Sequence, residues 1–163
     1  MARLAVDMAK QVHRRHGGLS FPLDVEAMVT AEGCTCLDWP FLEPIREVKH
    51  GKWIGIADWL DEPERRRHLA HALGHHLMHR GNQLSFRTWQ KINRWKQERE
   101  AEEFAAHLLV PEEELEKARG MGLSGLAERF GVPQDLVYQR VTAYATEDEL
   151  ARWQVASEEE PPG

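Results

Sequence analysis

Cysteine is nearly absent: Cys34 and Cys36 are the only two among 163 residues, one residue apart on a predicted strand. Neighbouring strand positions alternate between faces, so the pair does not bridge and a disulfide framework is excluded. A Cys-x-Cys pair without further thiols also falls short of a structural zinc set. Long hydrophobic runs are missing. No window approaches the ~18 uninterrupted apolar residues of a membrane span, and residues 1–10 hold no apolar core of signal-peptide length, so the expected setting is the cytoplasm, without membrane contact. A basic excess is lacking too. The net charge of -6 leaves no broad cationic face to displace counterions from a phosphate backbone, which argues against nucleic acid as the principal partner.

What is present suits one compact domain, with 42% hydrophobic content over that length. Apolar spacing predicts helices over residues 2–15 and 24–32, closed by Gly17-Gly18 and Gly33. Three brief β-compatible pieces follow at 34–39, 45–50 and 52–57, with His50-Gly51-Lys52 as a hairpin turn. A helix over 64–80 is capped by Asp61 and opened by Pro63. A second long helix spans 89–109 and stops before Pro111. Shorter helices are expected at 112–119, 124–130 with Ser124 as N-cap, 133–144 and 147–155, and then an acidic, proline-containing, mobile tail.

The chemistry lies in Leu69-Ala-His-Ala-Leu-Gly-His-His-Leu-Met-His79. Four residues apart on a helix, His71 and His75 are ~40° apart on one face, so both imidazoles can reach one tetrahedral metal ion. This is the two-histidine half of a His-Glu-x-x-His metallopeptidase motif, in which the glutamate takes a proton from the attacking water and delivers it to the leaving amine. Here that position is Ala72, and a methyl group can do neither. His79 keeps the four-residue spacing, yet by then the helix has drifted ~80° from His71, which suits support of the site better than ligation.

A catalytic zinc centre needs a third protein ligand. Downstream stands Glu98-Arg-Glu-Ala-Glu-Glu-Phe-Ala-Ala-His-Leu-Leu-Val-Pro111. Together the two segments resemble the ImmA/IrrE metallopeptidases, which pair a His-Glu-x-Gly-His-x-x-x-His helix with a Glu-Ala-x-x-Phe-Ala-x-x-Leu-Leu-x-Pro helix. The likeness runs through His71, Gly74, His75, His79, Glu100, Ala101, Phe104, Ala105, Leu108, Leu109 and Pro111, and it extends to Arg65–Leu69, the segment 126–133 and Arg140-Val141.

The resemblance implies Glu100 as third metal ligand, with Glu98 and Glu103 as solvated bystanders. His79 and His107 are candidates for supporting groups around the ligands, although His79 can equally pack and His107 more plainly covers the helix end. It implies zinc, with manganese or iron as alternatives that the same ligands accept. The substrate it implies is a helix-turn-helix transcriptional repressor cleaved in a stress or mobile-element response. The chain departs from the family at Ala72, natural or engineered, so an inactive or nearly inactive peptidase is expected. The competing expectation is a metal-binding module that holds a protein partner without cutting it.

The expected architecture is α+β: a small three-stranded sheet packed on helices, with its edge beside the cleft, a metal-site helix pair, and a C-terminal helical subdomain. Residues 1–111 would form the metal-site core, 112–155 the subdomain of the same domain, and 156–163 the tail. Residues 124–141 have the cadence of a helix-turn-helix, offering Gln134, Gln139 and Arg140 to DNA, but in this family such segments pack into the enzyme fold. His76 is expected half exposed and away from the metal. Trp53, Trp59, Trp89 and Trp95 are candidates for a peptide groove, although core positions are the plainer assignment, and the basic run Lys91, Arg94, Lys96 and Arg99 reads as a solvated helix face.

Overall fold

The computed structural model describes residues 3–79 and 91–159. Helices α1 (Leu4–His16) and α2 (Val25–Ala31) precede strands β1 (Thr35–Trp39), β2 (Glu47–His50) and β3 (Trp53–Ala57). Then come α3 (Glu62–Met78), α4 (Lys91–Leu109), α5 (Glu112–Lys117), α6 (Leu123–Phe130), α7 (Gln134–Val141) and α8 (Glu147–Glu159). The α+β expectation holds. The sheet order is β1-β3-β2, with β1 parallel and β2 antiparallel to β3. No helix among the described residues is long and apolar enough to cross a membrane.

The sheet shows how a period of two assigns side chains. Ile54 and Ile56 of β3 are fully buried against the helices, so their register partners point the same way. On β2 those partners are Lys49 and Glu47, and on β1 they are Cys36 and Asp38. Glu47 is thereby aimed at α3 from a strand that, among the described residues, has one strand neighbour. Asp38 reaches Arg65 of α3, which also binds Glu26 of α2 at 3.1 Å. The opposite face carries Leu37, Trp39 and Trp53, all exposed. Trp39, Trp53, Trp59 and Trp95 are surface residues, which overturns the core assignment of the tryptophans; among the described ones, Trp153 packs partly buried against the core. Trp89 lies outside the described residues.

Helix α3 starts where Asp61 accepts the Glu64 N–H at 2.9 Å, with Pro63 in the first turn. Its Leu69 and Leu73 are buried, and α4 lies alongside. The two helices approach through Gly74: a Cβ built there would stand 2.9 Å from Phe104 Cδ1 and 3.3 Å from Ala101 Cα. Phe104 is fully buried and cannot swing away. Gly74→Ala gains ~1 kcal/mol of helix propensity but overpacks the contact by ~1–3 kcal/mol, so a net loss is expected. A lower urea midpoint would register that loss; a raised midpoint would mean that α4 yields.

At the C-terminal end, α6 is capped by Gly122 without a side-chain bond, and not by Ser124, which lies inside the helix. Helix α8 runs to Glu159, four residues past the expected end, so the first part of the expected tail is helical; residues 160–163 lie outside the described ones. Glu103, expected in solvent, is buried and pairs with Arg3 Nε at 2.7 Å. Position 103 falls on the side of α4 that α1 covers, a tertiary contact that local charge density does not reveal.

Candidate metal centre

His71 and His75 project from one side of α3 with ring centroids 4.8 Å apart and planes at 86°. The carboxylate that meets them belongs to Glu98: its Oε2 lies 3.1 Å from His71 Nε2 and its Oε1 2.9 Å from His75 Nε2. Ligand atoms of these three residues all fall within 4.8 Å of one another. Bonds of ~2.0–2.1 Å around a tetrahedral ion would bring such atoms to ~3.3 Å. The expected third ligand, Glu100, is turned away and faces His79 Nε2 at 3.3 Å. Two residues on a helix differ by ~200° in direction, so only one of the two glutamates can face α3.

Each ligand histidine has its other nitrogen engaged. His71 Nδ1 donates to Glu47 Oε1 at 2.7 Å, and the same oxygen takes His68 Nδ1 at 2.8 Å. His75 Nδ1 lies 3.0 Å from His79 Nδ1. His75 Nε2 is buried without a hydrogen bond of acceptable geometry, although Glu98 Oε1 is close. Two imidazoles and a carboxylate gathered around a buried nitrogen that has no hydrogen-bond partner are the donor set a divalent metal takes, so the residues present fit such an ion.

The electrostatics agree. Burial works against charging His71, but the Glu47 charge, the Glu47 hydrogen bond and Glu98 push it up to about 10. Glu98 is held well below the usual carboxylate range, because hydrogen bonds and charge from His71 and His75 outweigh its burial. Glu47 is lowered for the same kind of reason, with His71 and His68 overcoming its desolvation. His79 is lowered chiefly by burial. The centre is thus a strongly negative pocket that favours a cation, whether proton or metal ion.

Beside His71 and Glu98 opens a cleft of ≈ 390 Å³. Its walls include Glu47 of β2, Glu102 of α4, Gln139 of α7 and the cations Arg46 and Arg67. Glu102 accepts the Tyr144 phenol at 2.8 Å. Ala72 is fully buried and belongs to the hydrophobic core.

Sequence reasoning missed Glu47, His68 and Glu98 as members of this centre. For Glu98 a signal existed in Ala101 and Ala105, small residues three and seven positions later where a neighbouring helix can come close. His107, a candidate for support of the site but more plainly a structural cover for the helix end, is buried against the Tyr144 carbonyl at 2.7 Å. Burial and then Arg140 hold it down to about 4, so it is a neutral brace between α4 and the loop before α8. His76 is half-buried and bonds the Glu32 carbonyl at 3.2 Å, away from the centre as expected. Of the candidate DNA-reading residues, Arg140 is fully buried, and α6 and α7 pack on each other with Phe130, Leu136 and Val137 in the core.

A sequence model of the IrrE N-terminal-like domain, Peptidase_M78, matches residues 41–142. Among solved structures, a Mycobacterium tuberculosis transcriptional regulator superposes with a TM-score of 0.64 at 19% identity, over 85% of this chain and 46% of that one. This chain therefore spans about half the length of that structural relative, and the likeness is one of fold. No curated protein matches the sequence.

Proposed function

Because the chain belongs to the IrrE N-terminal-like family of peptidases, we propose that it is a metal-dependent endopeptidase fold whose centre is His71, His75 and Glu98, with little hydrolytic power while Ala72 stands in the motif. The convergence of three ligand atoms from His71, His75 and Glu98, with both histidine Nδ1 atoms already engaged, carries this reading. When bound, a zinc or manganese ion supplies Lewis acidity toward the scissile carbonyl and lowers the pKa of the attacking water.

The rest falls to the protein. Among the described residues, strand β2 lies at an edge of the sheet next to the centre, so an extended substrate segment can pair beside Glu47 and pass over His71 into the cleft. Arg46, Arg67 and Glu102 in the lining provide charged contacts for its side chains. The substrate we assign is a cytoplasmic helix-turn-helix repressor, cleaved in a stress or mobile-element response. This rests on the resemblance of the motifs, and the regulator among the structural relatives is compatible with it.

A second reading keeps the same centre and removes the cutting: the chain binds a protein partner in the cleft without hydrolysing it. Ala72 favours it. Both readings need the metal, so metal content comes first. Purified protein given zinc or manganese should hold about one equivalent by mass spectrometry. His71→Ala and Glu98→Ala should lose it, whereas Glu100→Ala should still reach one equivalent at saturating metal. Loss in Glu100→Ala with retention in Glu98→Ala would restore Glu100 as ligand, and no metal in the parent would remove the centre altogether.

A further inference from the structure

We infer that the two ligand histidines are oriented by different devices, Glu47 acting directly on His71 and Glu100 acting on His75 through His79, which makes Glu47, His79 and Glu100 positioning residues of the metal centre. The inference rests on the metal-binding reading above.

The hydrogen-bond chain fixes where each proton sits. An ionised carboxylate only accepts, so Glu100 Oε2, 3.3 Å from His79 Nε2, requires the proton on that nitrogen. In a neutral imidazole the other nitrogen is then bare, and His79 Nδ1 becomes an acceptor. Its neighbour at 3.0 Å, His75 Nδ1, must donate. That leaves the lone pair of His75 on Nε2, the buried atom that faces Glu98 Oε1 at 2.9 Å without a hydrogen bond. A chain of three residues, Glu100, His79 and His75, therefore sets one lone pair. On the other side one contact suffices: Glu47 Oε1 takes the His71 Nδ1 proton at 2.7 Å and leaves Nε2 for the ion.

Local backbone makes the longer route possible. His79 caps the end of α3 with φ -128 and ψ 112, so it has left the helical path that would carry its side chain round the axis. Its ring stands 5.1 Å from that of His75 and is buried. Glu100 is supplied from α4 on the side away from Glu98, so one helix gives the centre a ligand and a remote anchor from two faces. The third motif histidine, His79, and Glu100 thus act through His75 without touching the ion.

Groups that orient ligand histidines typically contribute ~10–100-fold in metal affinity. Chelator competition with Zn²⁺ or Co²⁺ should show losses of that size in Glu47→Ala, His79→Leu and Glu100→Ala, with circular dichroism unchanged. His79→Asn should recover most of the affinity lost in His79→Leu, because its Oδ1 can accept the His75 proton. In the metal-free parent, long-range ¹H–¹⁵N spectra should find His75 protonated on Nδ1, and His79→Leu should lose that preference. A His75 protonated on Nε2 in the parent, or unchanged affinity in folded His79→Leu and Glu100→Ala, would overturn the relay alone. A parent that binds no metal would remove the centre and the positioning role together.

Discussion

Replacing Ala72 by glutamate should raise metal-dependent cleavage of an unfolded protein such as casein, or of a co-encoded helix-turn-helix repressor, by roughly 10²- to 10⁴-fold, the usual worth of a positioned general base. The carboxylates around the centre are all committed elsewhere. Glu98 faces both ligand histidines, Glu47 accepts from His68 and His71, Glu100 faces His79, and Glu102 accepts from Tyr144. None of them is an unengaged proton acceptor like the missing glutamate. The substitution has a cost, because position 72 is fully buried. A carboxylate there is penalised unless it reaches the cleft and the metal, so metal-free Ala72→Glu should melt below the parent and recover more on adding metal. A folded, metal-loaded Ala72→Glu protein that cuts neither substrate would select the binding-module reading. A parent that already cuts as fast would place the base on another residue.

Much of this arrangement was legible in the sequence, because helix and hairpin signals are local. Asp61, Pro63 and the leucine spacing marked α3, and Pro111 marked the end of α4. His50-Gly51-Lys52 gave the hairpin, with Gly51 at a positive φ of 58 that favours glycine. The choice between Glu98 and Glu100 was not local. The buried face of α4 is broad, taking in Ala101, Phe104, Ala105 and Leu108, and both glutamates flank it. Which one meets α3 depends on the rotation of α4, and that is set where Gly74 admits Phe104 and Ala101. Glu47 was hidden for a related reason: its direction follows from the register that pairs it with Ile56, a pairing of strands and not a property of its own segment. The exposed tryptophans show the converse. An apolar residue on a three-stranded sheet is covered only if helices occupy its side, and here they occupy the side of Ile54 and Ile56.

Glu149→Ala should destabilise the protein by roughly 3–5 kcal/mol, the usual consequence of stranding one partner of a buried ion pair. Arg140 and Glu149 are both fully buried. The guanidinium makes paired bonds to the carboxylate at 2.8 and 2.6 Å and a third to the Val110 carbonyl at 2.8 Å. Glu149 Oε1 also accepts the Thr146 N–H at 3.0 Å, while Thr146 Oγ1 accepts the Glu149 N–H at 3.1 Å, a reciprocal cap on α8. One side chain thus ties α7 and α8 to the end of α4, the helix that carries Glu98, and Gln139 of the cleft wall sits next to Arg140 in α7. Arg140→Leu combined with Glu149→Leu should be far milder than Glu149→Ala, because it strands no charge. The pair also makes stability depend on pH. Burial pushes the Glu149 carboxyl up, but the Arg140 hydrogen bonds and charge outweigh it and hold the group below its ordinary 4.5. A folded-state value below the unfolded one means the contribution is complete above about pH 4.5 and is lost as the pH falls through the folded-state value. Urea midpoints followed from neutral to strongly acid solution should therefore fall more steeply for the parent than for the double leucine variant. Parallel curves would show that Glu149 carries none of the acid sensitivity, and a Glu149→Ala midpoint equal to the parent's would mean that Arg140 finds solvent without it.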